Sequence, residues 1–159
     1  MLLTLSGHNF RYECENLCRV FFPYSPVRVG GEEAAPGEPW ARAEVRAQGE
    51  AYVSTAVACD GKSGLEEGCS AGELAEYPMT RLLFSVLSRL TGLQPAWGML
   101  TGVHPVKLLR MHCQAKGLEE GTTEFQEKWL VSPRRTSLAR RVLEAQREAT
   151  EALRPEDFC

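Results

Sequence analysis

Residues 1–29, MLLTLSGHNFRYECENLCRVFFPYSPVRV, decide the fold of this chain. Residues 1–6 are apolar with two hydroxyls and read as a first strand. Gly7-His8-Asn9 is turn chemistry, and Asn9 stands where it can cap a following helix. From Phe10 to Phe22 the apolar positions Phe10, Cys14, Leu17, Cys18 and Phe21 recur at i, i+4, i+7, i+8 and i+11, the spacing of an amphipathic helix. Pro23 stops it, and Val27-Arg28-Val29 is a short second strand. Strand, helix and strand in this order imply a parallel pair joined by a crossover helix.

Outward from that unit, residues 30–39 (GGEEAAPGEP) form a loop with nothing to bury. Ala41, Ala43, Val45 and Ala47 then alternate with Arg42, Glu44 and Arg46, the period of a half-buried strand. Gln48-Gly49-Glu50 turns the chain into Tyr52–Cys59, rich in β-branched residues, so the two strands make an antiparallel hairpin. Asp60-Gly61 opens a polar stretch with Gly64, Gly68 and Gly72, expected to be a mobile loop with Cys69 exposed in it.

Pro78 suits a first helical position, and Met79, Leu82, Leu83, Val86, Leu87 and Leu90 give a strong helical stripe ended by Gly92. Arg81, Ser85, Ser88 and Arg89 form its expected wet face. Pro105 opens another helix running to about Lys116, with Gly117 as its stop. Thr123 and Gln126 match a capping box for a short helix carrying Phe125 and Trp129. Ser132-Pro133 opens a long last helix with Leu138, Val142, Ala145, Ala149 and Leu153 along one face, ended by Pro155. The expected fold is α+β. A small mixed sheet of about four strands with packed helices occupies residues 1–92, and a helical part occupies 93–159.

Composition narrows the function classes. With 159 residues the chain can bury roughly 70% of its unfolded surface and needs no staples. A net charge of −3 argues against generic nucleic-acid binding. The first residues lack the basic start and apolar run of a signal peptide, and no run approaches the ~18 apolar residues of a membrane span, so a cytoplasmic protein is expected. The six Cys include no CxxC and no CxxxCxxC. Cys14 and Cys18 lie one helical turn apart on the apolar face and read as small core residues.

Catalytic signatures are missing: no GxSxG, no GxGxxG after a strand, no P-loop and no HExxH. The three His, at 8, 104 and 112, are scattered, so no metal site is expected. His8 reads as a turn residue and His112 as packing on the helix that carries Leu108 and Leu109.

Residues 95–109, PAWGMLTGVHPVKLL, are the exception. Gly98 and Gly102 permit unusual backbone conformations just before a helix start at Pro105. His104 and Lys107 stand at that start, where free amides and the helix dipole favour a carboxylate or phosphate. In the competing reading, Trp97, Leu100 and Val103 pack the loop down, the glycines let it turn, and Lys107 is simply wet. The candidate binding or docking residues are therefore Trp97, Gly98, Thr101, Gly102, His104 and Lys107, and none is catalytic. Arg134, Arg135, Arg140, Arg141 and Arg147 make the last helix basic. No aromatic residues interleave with them, so a solvated or docking face is favoured over an RNA-binding one.

The same stretch resembles the segment PWGxLTGxRPxKL of the coproporphyrinogen dehydrogenases, a group of oxygen-independent coproporphyrinogen III oxidase-like radical SAM proteins. Pro95, Trp97, Gly98, Leu100, Thr101, Gly102, Pro105, Lys107 and Leu108 match it, with Ala96 as an extra residue and His104 where the pattern has Arg. The opening GHNFRYE, the helix ending FFP, the strand before DGK, the helix ending LTG, and LVSPRRTSLARRVLEAQRE are similar in order. The resemblance implies an N-terminal accessory domain, not catalytic alone, with the radical SAM barrel following Cys159 as its partner in the parent chain. It implies haem biosynthesis, oxidative decarboxylation of a porphyrinogen-type anionic substrate, and a 4Fe-4S cluster with S-adenosylmethionine in the barrel. A stand-alone RNA-binding or protein-interaction module is the alternative.

Overall fold

A computed structural model describes residues 1–31, 33–48, 50–70 and 75–152. The chain divides into two compact units, Met1–Gln94 and Pro95–Cys159. The class is α+β.

In the first unit, β1 (Leu2–Ser6), α1 (Arg11–Phe21) and β2 (Arg28–Val29) form the expected parallel crossover. β3 (Trp40–Gln48) and β4 (Glu50–Cys59) form the expected antiparallel hairpin, and β3 also pairs parallel with β1. The sheet has five strands in the order β2-β1-β3-β4-β5, not about four. Leu3, Ala41, Ala43, Val53 and Val57 face α1 and α2 (Glu76–Thr91), which contribute Cys14, Leu17, Met79, Leu83 and Leu87 to the same buried layer. Cys14 and Cys18 are free, buried core thiols, as their spacing implied. Burial, with Glu13 adding repulsion, pushes the Cys14 thiol up to about 12.

The fifth strand, β5 (Lys62–Ser70), replaces the mobile loop expected after Asp60-Gly61. Its sequence carries no alternation of apolar side chains because the helix needs none there. Register places Gly64, Glu66 and Gly68 beside Val57, Thr55 and Val53, on the helix side. A Cβ at Gly64 would lie 3.2 Å from Val86 Cγ1, so side chains of α2 occupy the room the glycine leaves. Glu66 is tied to α2 by Ser85 Oγ at 2.9 Å and Arg89 at 3.0 Å. Gly72 lies outside the described residues.

Three local expectations fail in this unit. Asn9 does not cap α1: the residue before the helix is Phe10, and no side chain caps it. His8 ties down the residue before the helix without capping it. Its Nδ1 accepts from the Phe10 amide at 3.1 Å, leaving Nε2–H to donate to the Ala43 carbonyl at 3.0 Å. Ser88 does not belong to a wet face: it is buried, and its hydroxyl has no partner among the described residues. α2 also starts two residues before Pro78, and Gly92 closes it in the left-handed conformation.

The second unit holds α3 (Pro105–Lys116), α4 (Leu118–Trp129) and α5 (Pro133–Ala152) around Leu109, Phe125, Val131, Ala139 and Leu143. Pro105 opens α3 and Gly117 closes it, as read. α4 begins at Leu118, so Thr123 is not a cap. Its hydroxyl donates to the Glu119 carbonyl from mid-helix. The weak helix formers Gly121-Thr122-Thr123 hide the first half of α4 from a propensity reading. Gly121 is there for packing: a Cβ would lie 2.6 Å from the Cys113 backbone nitrogen of α3.

The buried face of α5 is also displaced by one residue. Thr136, Ala139 and Leu143 are buried, whereas Val142, Ala145 and Ala149 are exposed and Leu138 is half-buried. Two overlapping stripes exist in this Ala-rich helix, and contact with Leu109 and Phe125 selects the second. Leu153, Pro155 and Cys159 lie outside the described residues. Among the described residues no helix is long and apolar enough to cross a membrane.

Candidate functional site

The stretch before α3 is a fixed loop built against the α4–α5 connection. Gly98 has φ +58°, closed by its amide donating to the Pro95 carbonyl at 2.9 Å. The Met99 amide donates to Trp129 O at 2.9 Å, and the Ser132 amide donates to Ala96 O at 3.1 Å. Leu130, one of the two residues between those anchors, is itself left-handed at φ 56°. A Cβ on Gly98 would lie 2.1 Å from Trp129 O and 2.4 Å from Leu130 O. The glycine is thus required by two backbones in contact, not by a ligand. Trp97 and Leu100 pack against the core of the unit, and Met99 is buried.

The six candidate residues therefore separate into two sets. Trp97 and Gly98 are part of the packing. Thr101 is half-buried, and Gly102, His104 and Lys107 are exposed at the start of α3. Val103, which the packing reading placed inward, is 50% exposed and does not pin the loop. His104 is the N-cap residue in an extended conformation and makes no side-chain cap bond, and no acidic residue occupies the first turn. An anion approaching α3 would meet the free amides, His104 and Lys107 together, with no competing carboxylate on that turn.

A cation outside the candidate set, Arg135 of the basic last helix, stands beside this loop. The Arg135 guanidinium carbon lies 5.5 Å from the centroid of the Trp97 ring, a cation–π distance. Ser132 is the cap expected for α5: its Oγ accepts from the Arg135 amide at 3.4 Å. Arg140 of the same helix is engaged. Arg140 reaches Glu119 at 2.9 Å and Glu144 at 3.0 Å, and Arg110 of α3 reaches Gln146.

His112 holds more than packing. Its ring bridges Glu124 and the Trp129 indole, and Lys116 binds the same carboxylate. That Glu124 carboxyl is held low by the His112 hydrogen bond and then by Lys116. An i, i+4 His112–Lys116 pair on one helix was the only sequence hint, and it named no partner.

In the first unit a cavity of about 840 Å³ lies beside Gly31, Glu33, Ala35 and Glu38, on the sheet face opposite Ala41 and Ala43. Trp40, Thr4 and Ser63 line it together with Arg42, Lys62, Glu33 and Asp60. Both signs of charge alternate around it, so it selects no one ligand charge. Among the described residues no group of three or more His, Cys, Asp or Glu is placed to hold a metal ion.

No family model matches the chain, and no curated protein matches it. Among solved structures it is similar to the N-terminal domain of Thermus thermophilus Protein Y, at 15% identity over 57% of this chain and 89% of that one, with a TM-score of 0.33. A likeness that distant bears on neither fold nor function.

Proposed function

We propose that this chain is an accessory domain of a radical SAM oxidoreductase resembling oxygen-independent coproporphyrinogen III oxidase. On this reading it is not catalytic alone. Its work is to dock the barrel of the same parent chain, or to help hold an anionic, porphyrinogen-type substrate of haem biosynthesis. The 4Fe-4S cluster and S-adenosylmethionine belong to the barrel, and the protein works in the cytoplasm.

One observation carries the reading: the order Trp97-Gly98, Leu100-Thr101-Gly102, Pro105, Lys107-Leu108 within the fixed loop and first turn of α3. The loop geometry supports it, because the motif's exposed remainder is a helix start with His104 and Lys107 free of carboxylates. A permanently charged Arg at 104 would hold an anion at any pH, so His104 weakens the clamp relative to the family pattern. The RNA-binding alternative draws no comparable support, since Arg140 is already bound by Glu119 and Glu144.

The parent gene tests the assignment directly. A CxxxCxxC within about 20 residues after position 159 is expected, and a reading frame without one removes the proposal. On the protein, a tetracarboxylate porphyrin is expected to quench Trp97 emission, and Lys107→Ala to weaken that response. Equal quenching in both would separate docking from substrate recognition.

A further inference from the structure

α3 and α4 are tied by a short hydrogen-bonded chain through His112. Trp129 Nε1 lies 3.2 Å from His112 Nε2, and His112 Nδ1 lies 2.8 Å from Glu124 Oε2. An indole N–H can only donate, so Nε2 is the bare nitrogen and Nδ1 carries the proton given to Glu124. The ring sits edge-on to Phe125, centroids 6.2 Å apart, with its side chain 11% exposed. Trp129 in turn anchors the motif loop, because its carbonyl accepts from Met99 and closes over Gly98.

We propose that His112 is a proton-operated latch on the loop at residues 95–104. A second proton, taken from solvent onto Nε2, turns both ring nitrogens into donors. The bond to Glu124 survives with charge assistance, while the bond to Trp129 becomes two N–H groups facing each other and opens. The indole is then released from one side, and the Met99–Trp129 backbone bond loses its support. The charged groups beside this chain of bonds are Glu124 of α4, Lys116 of α3, 3.1 Å from Glu124, and Lys128 of α4, 5.7 Å from the Trp129 ring centroid. Among the described residues no charged group of α5 bonds to the ring. The latch lies within the second unit and does not depend on the radical SAM reading.

Residue-assigned NMR of the full chain between pH 8 and pH 5 tests it, the range in which imidazoles change charge. The Trp129 indole N–H and the Met99 amide are expected to shift with the midpoint of the His112 ring protons. On the acid side the indole N–H should exchange with solvent about tenfold faster, the scale of one lost hydrogen bond. The Trp40 indole should not follow. His112→Gln, which retains a carbonyl acceptor, should remove the step. Should that variant not fold, Glu124→Gln should lower the His112 midpoint and carry the Trp129 step with it. A Trp129 indole that stays fixed while His112 titrates overturns the latch. So does one that follows His8 or His104 instead, or a His112 ring that takes no proton down to pH 5.

Discussion

Gly98→Ala is the sharpest test of how the motif loop is built. Two costs arise at one atom. A non-glycine residue held in the left-handed conformation costs about 1–2 kcal/mol. The added Cβ would also sit 2.1 Å from Trp129 O and 2.5 Å from Leu130 C. Those are backbone atoms, so neither can swing aside as a side-chain tip would. Overpacking of this kind costs about 1–3 kcal/mol, and pushing the strands of chain apart strains the Met99–Trp129 bond, worth about 1 kcal/mol more. The expected loss is about 3–6 kcal/mol in the second unit. Hydrogen exchange at the Leu109 and Phe125 amides, in the core of that unit, should therefore accelerate by roughly two to four decades. Gly92→Ala is the control. Its φ is +70°, but nothing lies within 4 Å of its added Cβ, so only the conformational cost of about 1–2 kcal/mol applies. A Gly98→Ala acceleration no larger than tenfold, or no larger than that of Gly92→Ala in its own unit, would refute the close-contact account.

Other consequences follow from the same geometry. Gly121→Ala should destabilise the second unit by about 1–3 kcal/mol, seen as earlier loss of far-UV ellipticity in urea, because its Cβ would meet the α3 backbone at Cys113. Ser88→Ala should be neutral or stabilise the first unit by up to about 1 kcal/mol, since it removes a buried hydroxyl without a partner; a clear loss in thermal unfolding would mean the hydroxyl is bonded. Native Cys14 should resist alkylation at pH 8 and react only on unfolding, its thiol being buried and pushed up to about 12; mass spectrometry of the labelled peptide reads this. Glu38 is held at about 2 by Arg28 first and the Ala35 amide second. Its folded value lies below its unfolded one, so its contribution is complete above the ordinary carboxylate range and is lost as pH falls towards 2. Acid unfolding of Glu38→Gln should show a shallower decline there than the wild type.

Much of the fold is legible where apolar periodicity is strong. The stripe Cys14, Leu17, Cys18 and Phe21 and the alternation of Ala41 and Ala43 around Arg42 each name a buried face, and each is buried. What sequence could not give fails for identifiable reasons. β5 has glycines where a strand normally shows β-branched residues, because α2 fills that side. The first half of α4 carries Gly121 for a close crossing that no single-sequence propensity reveals. On α5, Ala139 and Leu143 compete with Leu138 and Val142 at a spacing of one residue, and only the partner surface decides. In the candidate site, the backbone requirement at Gly98 was visible as a glycine but not as a contact. The Arg135–Trp97 and His112–Trp129 pairs join residues 38 and 17 positions apart, beyond any local pattern.

That division governs how the function must be probed. Within the motif, Trp97, Gly98 and Leu100 are consumed by packing and backbone contact, so variants at those positions would lose activity in any parent enzyme by disturbing the loop. Such losses say nothing about ligand or docking. His104 and Lys107 are different: they are exposed, make no cap or ion pair among the described residues, and lie on a helix start that needs neither. Charged residues that the fold does not use, set in a stretch whose first half it does use, carry whatever the motif does besides fold. His104→Arg restores the permanent charge of the family pattern without touching the core, and Lys107→Ala removes the remaining cation. If the helix start meets an anionic group, the first should tighten porphyrin quenching of Trp97 above the imidazole range and the second should weaken it. Two silent variants on a folded chain would leave the motif as an architectural element only.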